Sequence, residues 1–243
     1  MRYILTDDYI SICSKASSRF EKAMKGINYE PKGIFNSEML LVCAVADHLG
    51  VNRVIESGRA RGYSTIVLLN YFRHENDFKI DSIEYCKYTA DAVIVMKRLA
   101  GIRNLRLSFG NSFDLLSALV SKEPCVVLID GPKGRWATLL ACMTLRDSNA
   151  KAVFIHDMHK IAEGRELTEK LSPKYFLPTT KSLLRTLNHW MKNVGNNNRC
   201  ISSSSGGHHI CEEIKLCPAI LPLWLWYSIH RRESIMSMSA SNI

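Results

Sequence analysis

Residues 54–65 read Val-Ile-Glu-Ser-Gly-Arg-Ala-Arg-Gly-Tyr-Ser-Thr: an apolar strand end, an acidic residue, a glycine-containing turn and a helix start. Glu56, Gly58 and Gly62 form the spacing E-x-G-x-x-x-G, with Ala60 between the two glycines. Glycine lets a backbone approach a ligand closely, and the N–H groups of a helix start attract the negative end of that ligand. The stretch therefore predicts a strand–turn–helix unit that binds a nucleotide-like ligand.

Strands and helices alternate on both sides of this turn. The predicted strands cover residues 51–56, 79–84, 105–109, 125–129 and 152–155. The predicted helices before, between and after them cover 36–49, 64–72, 88–100, 112–120, 136–145, 161–171 and 182–191. The strands are nearly continuous apolar runs, which is typical of strands buried on both faces. Repeated β–α units of this kind predict an α/β fold with a doubly wound, mostly parallel sheet.

Polar residues stand at the carboxyl ends of all five predicted strands: Glu56, Glu84, Asn111, Asp130 and Asp157. Ligands of doubly wound sheets bind beyond this edge. Five polar strand ends in register are more than chance explains, so we expect the binding site there. Glu84 is placed to accept hydrogen bonds from two ribose hydroxyls.

The length of 243 residues and a hydrophobic content of 47% favour one large domain. We assign residues 1–194 to it, with a cofactor-binding core at 34–160 and a helical N-terminal extension at about 5–33. Residues 195–207, rich in Gly, Asn and Ser, are predicted to be a flexible linker. Residues 208–243 form a tail without an assignable structure, and the antiparallel strands that would close the sheet cannot be assigned.

The net charge of +9 has two interpretations: a surface that meets nucleic acid or an anionic membrane, or scattered solvated lysines. The eight cysteines contain no C-x-x-C pair, and Cys43, Cys125 and Cys142 lie in apolar runs. That usage is typical of a reducing compartment, so we expect a cytoplasmic protein. No run of about 18 apolar residues predicts a membrane span.

Several motifs together resemble one enzyme family over residues 34–160. They are Gly62-Tyr63-Ser64 within the turn, Ser82-Ile83-Glu84, Phe109-Gly110-Asn111-Ser112, the stretch 129–136 (Ile-Asp-Gly-Pro-Lys-Gly-Arg-Trp) and Phe154-Ile155-His156-Asp157. In this order and spacing they resemble the class I S-adenosylmethionine-dependent methyltransferases, within them the catechol O-methyltransferase-like group. The turn also differs from the G-x-G-x-x-G spacing of dinucleotide-binding proteins.

The resemblance implies a role for each of these residues in holding S-adenosylmethionine. Gly58, Ala60 and Gly62 would lie close to the methionine part, Ser64 would hold its carboxylate, and Glu56 would lie near its ammonium group. Glu84 would bind the ribose hydroxyls, and Asn111 and Ser112 would lie at the edge of the adenine. Asp130 would lie beside the cofactor. Ser37 and Glu38 would contact cofactor or substrate at the mouth of the cleft.

The candidate catalytic residues are Lys133, Asp130 and His156. Lys133 follows Asp130 by three residues, as in the D-x-x-K of the family. It could act as a general base, or as a cation that stabilises an oxyanion. Asp130 and Asp157 could bind Mg²⁺. Metal-dependent members of the family carry asparagine where this chain has Met158, a poor ligand for Mg²⁺, so metal dependence stays open.

We predict an S-adenosylmethionine-dependent O-methyltransferase that acts on a small hydroxylated molecule. The alternatives are a nucleic-acid methyltransferase, suggested by the charge, and a binding protein that kept the fold without catalysis, suggested by Met158. No D/N-P-P-Y element for amino-group methylation occurs. The cysteines and histidines between Cys200 and Cys217 match no zinc spacing. The Trp224–Tyr227 segment is expected to pack on protein rather than on a membrane, and the oligomeric state stays open.

Overall fold

The computed structural model describes residues 6–30, 33–158 and 163–171. The predicted linker at 195–207, the tail at 208–243 and a predicted helix at 182–191 lie outside these residues. None of the described helices combines the length and the apolar character that a bilayer span requires. The five cysteines within the described ranges are free thiols.

The chain alternates helices and strands as predicted. The helices are α1 (Thr6–Met24), α2 (Asn36–His48), α3 (Tyr63–Tyr71), α4 (Ala90–Leu99), α5 (Ser112–Val120), α6 (Arg135–Thr144) and α7 (Glu163–Leu171). The strands are β1 (Arg53–Ser57), β2 (Lys79–Glu84), β3 (Leu105–Phe109), β4 (Cys125–Ile129) and β5 (Ala150–Ile155). The predicted bounds of the five strands differ from these by two residues or fewer, and those of β2, β3 and β4 agree at both ends.

The five strands form one parallel sheet in the order β3-β2-β1-β4-β5. The chain runs outward from β1 to β3 and then returns to the other side of β1. The switch point therefore lies between β1 and β4, where such sheets bind ligands. The predicted doubly wound α/β fold is confirmed. The described residues contain no antiparallel closing strand.

Two apolar cores lie on opposite faces of the sheet. Successive side chains of a strand point to opposite faces, so Val54 packs with α1, α2 and α3 while Ile55 packs with α5 and α6. All five residues of β1 and of β4 are buried; β4 is apolar throughout, whereas β1 also contains the buried polar residues Arg53, Glu56 and Ser57. The central strands are thus rigid supports for the loops that follow them.

Helix α2 differs from its predicted form in two ways. Asn36 and Ser37 are residue types that favour a helix N-cap, so the sequence predicts a cap there, and the apolar positions between Leu40 and Val45 predict one buried side. The N-cap is Phe35, whose N–H donates to the Glu38 carboxylate at 3.0 Å. Residues 37–46 are all buried, because the helix lies between α1 and the sheet. The cap brings Glu38 to the carboxyl edge of the sheet.

A buried ion pair joins β1 and β2 near the amino-terminal edge of the sheet. Arg53, 2% exposed, lies 2.5 Å from the Asp81 carboxylate and donates to Leu119 O at 2.6 Å. Asp81 also pairs with Arg106. Sequence reasoning missed this network and began β1 at residue 51. The available signal was a charged residue at the start of an apolar run.

Candidate active site at the carboxyl edge of the sheet

The turn after β1 is fastened to the loop after β4. Ser57 O accepts the N–H groups of Asp130 and Gly131 at 2.7 and 2.9 Å. Gly58 has φ +84°, and a Cβ placed on it would lie 2.5 Å from Gly131 N. Only glycine allows both the left-handed backbone and this close approach. The first glycine of the motif is therefore needed for contact between two protein loops.

Gly58→Ala is expected to lower the free energy of unfolding more than Gly26→Ala does. Gly26 has a similar φ, +81°, but open space where a Cβ would stand. Left-handed strain costs each variant about 1–2 kcal/mol, and overpacking adds about 1–3 kcal/mol for Gly58→Ala alone. Urea unfolding of both variants measures the difference. Equal losses would contradict the close approach.

Glu56 does not line the small cleft that lies between Ala60, Ser64 and Asp130. Its carboxylate is fully buried and accepts three hydroxyl hydrogen bonds: from Ser64, from Thr65 at 2.5 Å and from Ser82 at 2.7 Å. Burial raises the pKa of Glu56, and the three hydroxyls partly oppose this. The described contacts of its carboxylate are all with protein hydroxyls, and the expected place of Glu56 near the cofactor ammonium stays a prediction. Its role is to join β1, β2 and the start of α3.

The Ser64 hydroxyl is already used in its hydrogen bond to Glu56. It donates this bond, and the side chain of Ser64 is buried. The hydroxyl proton is therefore not available to a ligand carboxylate. The backbone N–H groups at the start of α3 are the remaining donors that could face such a group.

Glu84 lies where the sequence predicted, at the end of β2, and it shapes the turn. One carboxylate oxygen accepts the N–H groups of Ala60 at 2.9 Å and Arg59 at 3.3 Å, and the other accepts Tyr85 N–H at 2.8 Å. A carboxylate has about four acceptor positions. Glu84 can therefore hold the turn and still accept a ligand hydroxyl.

Two exposed tyrosines beside Glu84 were missed by sequence reasoning. Tyr85 is 76% exposed and Tyr88 is 80% exposed. An aromatic ring directly after the acidic strand end offers a face on which a base can stack. The signal in the sequence was the Glu-Tyr pair itself.

Asn111 and Ser112, the residues expected at the edge of the adenine, make contacts within the protein. Asn111 caps α5 by accepting Phe113 N–H at 3.0 Å, and Ser112 accepts a hydrogen bond from Ser57 at 2.7 Å.

Arg59 is a second missed residue, buried under the turn. It is 2% exposed, donates to Ser82 O at 2.6 Å and Ser108 O at 3.1 Å, and lies 4.5 Å over the Phe109 ring. Burial lowers its pKa, while Glu56 and Glu84 oppose that shift. Within the described residues its Nε and Nη2 have no hydrogen-bond partner. Arg59 ties the ends of β2 and β3 to the turn.

The enclosed part of the cleft is small. It lies between Ala60, Ser64, Asp130 and the segment around Gly33, and holds about 30 Å³. That volume admits a group of the size of an ammonium or a water molecule. A nucleoside is larger than this volume, and the exposed edge beside Glu84 and Tyr85 offers it an open surface. With that placement the residues present fit S-adenosylmethionine.

The four polar residues after β4 and β5 form one charged cluster. The Lys133 ammonium contacts Asp130 and lies 2.6 Å from Asp157. His156 Nδ1 lies 2.6 Å from Asp130, and its Nε2 lies 3.3 Å from the buried carboxylate of Glu38. The structure thus brings Asp130, Lys133, His156 and Asp157 together as predicted, and adds Glu38 from α2.

The electrostatics of the cluster keep both cations charged. Burial lowers the pKa of Lys133, but attraction to Asp130 and Asp157 outweighs it, and the pKa is raised. Burial also lowers the pKa of His156, but the hydrogen bonds to Asp130 and Glu38 outweigh this effect and raise the pKa to about 9. Burial raises the pKa of Glu38. Of the two roles open to Lys133, this arrangement favours the oxyanion-stabilising cation over the base.

The cluster fits a resident divalent cation poorly. Ligand atoms of Asp130, His156 and Asp157 lie within 4.8 Å of one another, as a metal site requires. The Lys133 ammonium, however, bridges the two carboxylates, and the raised pKa of His156 keeps its ring protonated at neutral pH. Met158 is buried and its thioether side chain offers no oxygen. The cluster is therefore built around the Lys133 ammonium rather than around Mg²⁺.

Solved structures with a similar chain course include several O-methyltransferases. TomG from Streptomyces achromogenes, solved with SAM, has 16% identity and a TM-score of 0.45, covering 75% of this chain and 78% of that one. The Bacillus cereus O-methyltransferase, solved with SAH, has 13% identity and a TM-score of 0.45, covering 81% and 82%. The Podospora anserina methyltransferase PaMTH1, also with SAH, has 15% identity and a TM-score of 0.44, covering 82% and 92%. No protein-family model and no curated protein matches the sequence.

Proposed function

We propose that this chain is an S-adenosylmethionine-dependent methyltransferase that methylates an oxygen of a small hydroxylated molecule. The observation that carries the proposal is a juxtaposition at one edge of the sheet. Glu84 and the exposed Tyr85 end one strand, and the Lys133 cluster follows the strands on the other side of β1. The first group suits a nucleoside and the second suits an acceptor that becomes an anion.

Each of these residues has a separate role in the proposed methyl transfer. When bound, S-adenosylmethionine supplies a methyl group activated by a sulfonium. Glu84 accepts ribose hydroxyls and holds the turn that faces the methionine part. Lys133 stabilises the negative charge that develops on the acceptor oxygen, as a cation in a fixed position does most effectively. Asp157, whose side chain is 53% exposed, receives the proton of the acceptor.

Alignment of acceptor and methyl group supplies much of the rate enhancement in such a displacement. His156 and Glu38 serve that alignment, because His156 contacts the same Asp130 oxygen as Lys133 does and Glu38 holds the other nitrogen of the His156 ring. Helix α2 therefore takes part in positioning the cluster through the cap that directs Glu38 inward.

The proposal is tested by ligand-induced thermal stabilisation. S-adenosylhomocysteine is expected to raise the melting temperature, because a ligand that binds only the native state stabilises it. NADH should not do so, and Mg²⁺ or a chelator should leave the shift unchanged. Stabilisation by NADH alone would overturn the proposal. Stabilisation by S-adenosylhomocysteine without turnover on a panel of phenols and alcohols would favour the binding-protein alternative.

Glu84→Ala is expected to weaken S-adenosylhomocysteine binding by about 10- to 100-fold, since hydrogen bonds to a charged group contribute about 1.5–3 kcal/mol. Calorimetric titration measures the change. Glu21→Ala, at an exposed position of α1, is the control and should bind as the unmodified chain does. Unchanged affinity in Glu84→Ala would show that the nucleoside does not lie at β2.

A further inference from the structure

A wide groove lies at the amino-terminal edge of the sheet, opposite the candidate active site. It has a volume of about 1130 Å³ and is lined by the residues that precede β2, β3 and β4. A strand of six residues spans about 20 Å, so the groove is separated from Glu84 by roughly that distance. Nothing in the proposed methyl transfer uses it.

The groove carries a strong positive charge. Six cations line it, against three carboxylates: Arg53, Arg73, Lys79, Arg103, Arg106 and Lys122 face Asp77, Asp81 and Glu123. Its net charge of +3 is a third of the +9 of the whole chain. One concave surface therefore gathers a third of the net positive charge of the chain.

The cations divide into an inner and an outer set. The inner carboxylate, Asp81, is shared by Arg53 and Arg106, and Glu123 pairs with Lys79 at 3.0 Å. These contacts neutralise the floor and one wall. The outer set, Arg73, Arg103 and Lys122, is exposed and forms no ion pair within the described residues. Arg73 donates one hydrogen bond to the neighbouring His74 at 2.9 Å, and all three side chains keep donors that can bind an external anion.

We propose that this groove binds the sugar–phosphate backbone of a nucleic acid. Arginine presents a planar fork that matches phosphate oxygens, and two of the three outer cations, Arg73 and Arg103, are arginines. A concave surface with cations on several walls suits a strand better than a flat membrane. The aromatic rings that line it, Phe72 and Phe78, are buried against each other and offer no face for a base. Binding is therefore through phosphates and independent of base sequence.

The proposal is tested with a fluorescently labelled single-stranded RNA of mixed sequence and anisotropy at two salt concentrations. In the triple variant Arg73→Gln, Arg103→Gln and Lys122→Gln, affinity is expected to fall at least tenfold. The slope of log K against log salt is expected to decrease by about 2, since each phosphate contact to a single strand contributes about 0.7. The control variant Lys15→Gln, Lys22→Gln and Lys25→Gln removes the same charge from exposed positions on and after α1. It should retain most of the affinity.

Three outcomes would overturn the proposal: equal weakening in both triple variants, no RNA binding by the unmodified chain, or displacement of the RNA by polyglutamate as readily as by unlabelled RNA. The last would assign the groove to an acidic polypeptide. Melting temperatures without ligand show that each variant is folded. The S-adenosylhomocysteine shift should be the same in both triple variants, which keeps this test separate from that of the proposed function.

Discussion

Lys133→Met is expected to lower kcat by about 10²- to 10³-fold, the usual loss when one preorganised charge-stabilising donor is removed. The affinity for S-adenosylhomocysteine should stay within a few-fold, because Lys133 contacts Asp130 and Asp157 rather than the turn. Steady-state kinetics with an acceptor identified from the panel, together with calorimetry, separates the two quantities.

Lys133→Arg is the matched control, because it keeps the positive charge with a different shape, and it should retain more activity than Lys133→Met. The pH profile then distinguishes the two roles of Lys133. Its raised pKa keeps it charged from pH 6 to 9, so the activity ratio of the unmodified chain to Lys133→Met should be constant over this range. A ratio that rises with pH would assign Lys133 as the base. An unchanged kcat in Lys133→Met would remove it from the mechanism.

Asp81→Asn is expected to lower the free energy of unfolding by about 3–5 kcal/mol. Removing one partner of a buried ion pair leaves the other charge without compensation. Arg53 would remain 2% exposed with only Leu119 O, the distant Glu123 at 3.7 Å and a neutral amide to face. Urea unfolding measures the loss, with an unchanged m-value as the sign that two-state behaviour persists.

The same substitution at Asp77 is the control, because Asp77 lines the same groove but is exposed. Asp77→Asn should change stability by about 0.5 kcal/mol or less. If Asp81→Asn costs no more than Asp77→Asn, the buried pair does not hold the amino-terminal ends of β1 and β2 together.

The elements of the fold were predictable because their signals are local. Cys125–Ile129 is apolar throughout, and Leu105–Phe109 and Lys79–Glu84 are bounded by turn residues, so all three strands were predicted with the observed bounds. The start of β1 was not predicted correctly, because that strand begins with a buried arginine. An isolated sequence window shows a charge but not the distant carboxylate that neutralises it.

The site was predictable where it depended on strand ends. Parallel strands place their carboxyl ends at one edge, so Glu84, Asp130 and Asp157 were expected together and lie at that edge. The direction of each side chain was not predictable in the same way. Glu56 lies one residue before the end of β1, opposite Ser82 of β2, and is held in the core by three hydroxyls. Glu38 reaches the cluster only because helix α2 packs across the sheet.

The sequence by itself determined the order of strands and helices, the glycine turn and the set of polar strand ends, because apolar periodicity and turn chemistry act between residues close in the chain. Tertiary structure alone decided the partners of the buried charges. Arg53 meets Asp81, Glu38 meets His156, and the cations from four separate segments meet in one groove. Such pairings join residues far apart in sequence, and a buried charge takes whichever partner the packing of the sheet brings within reach.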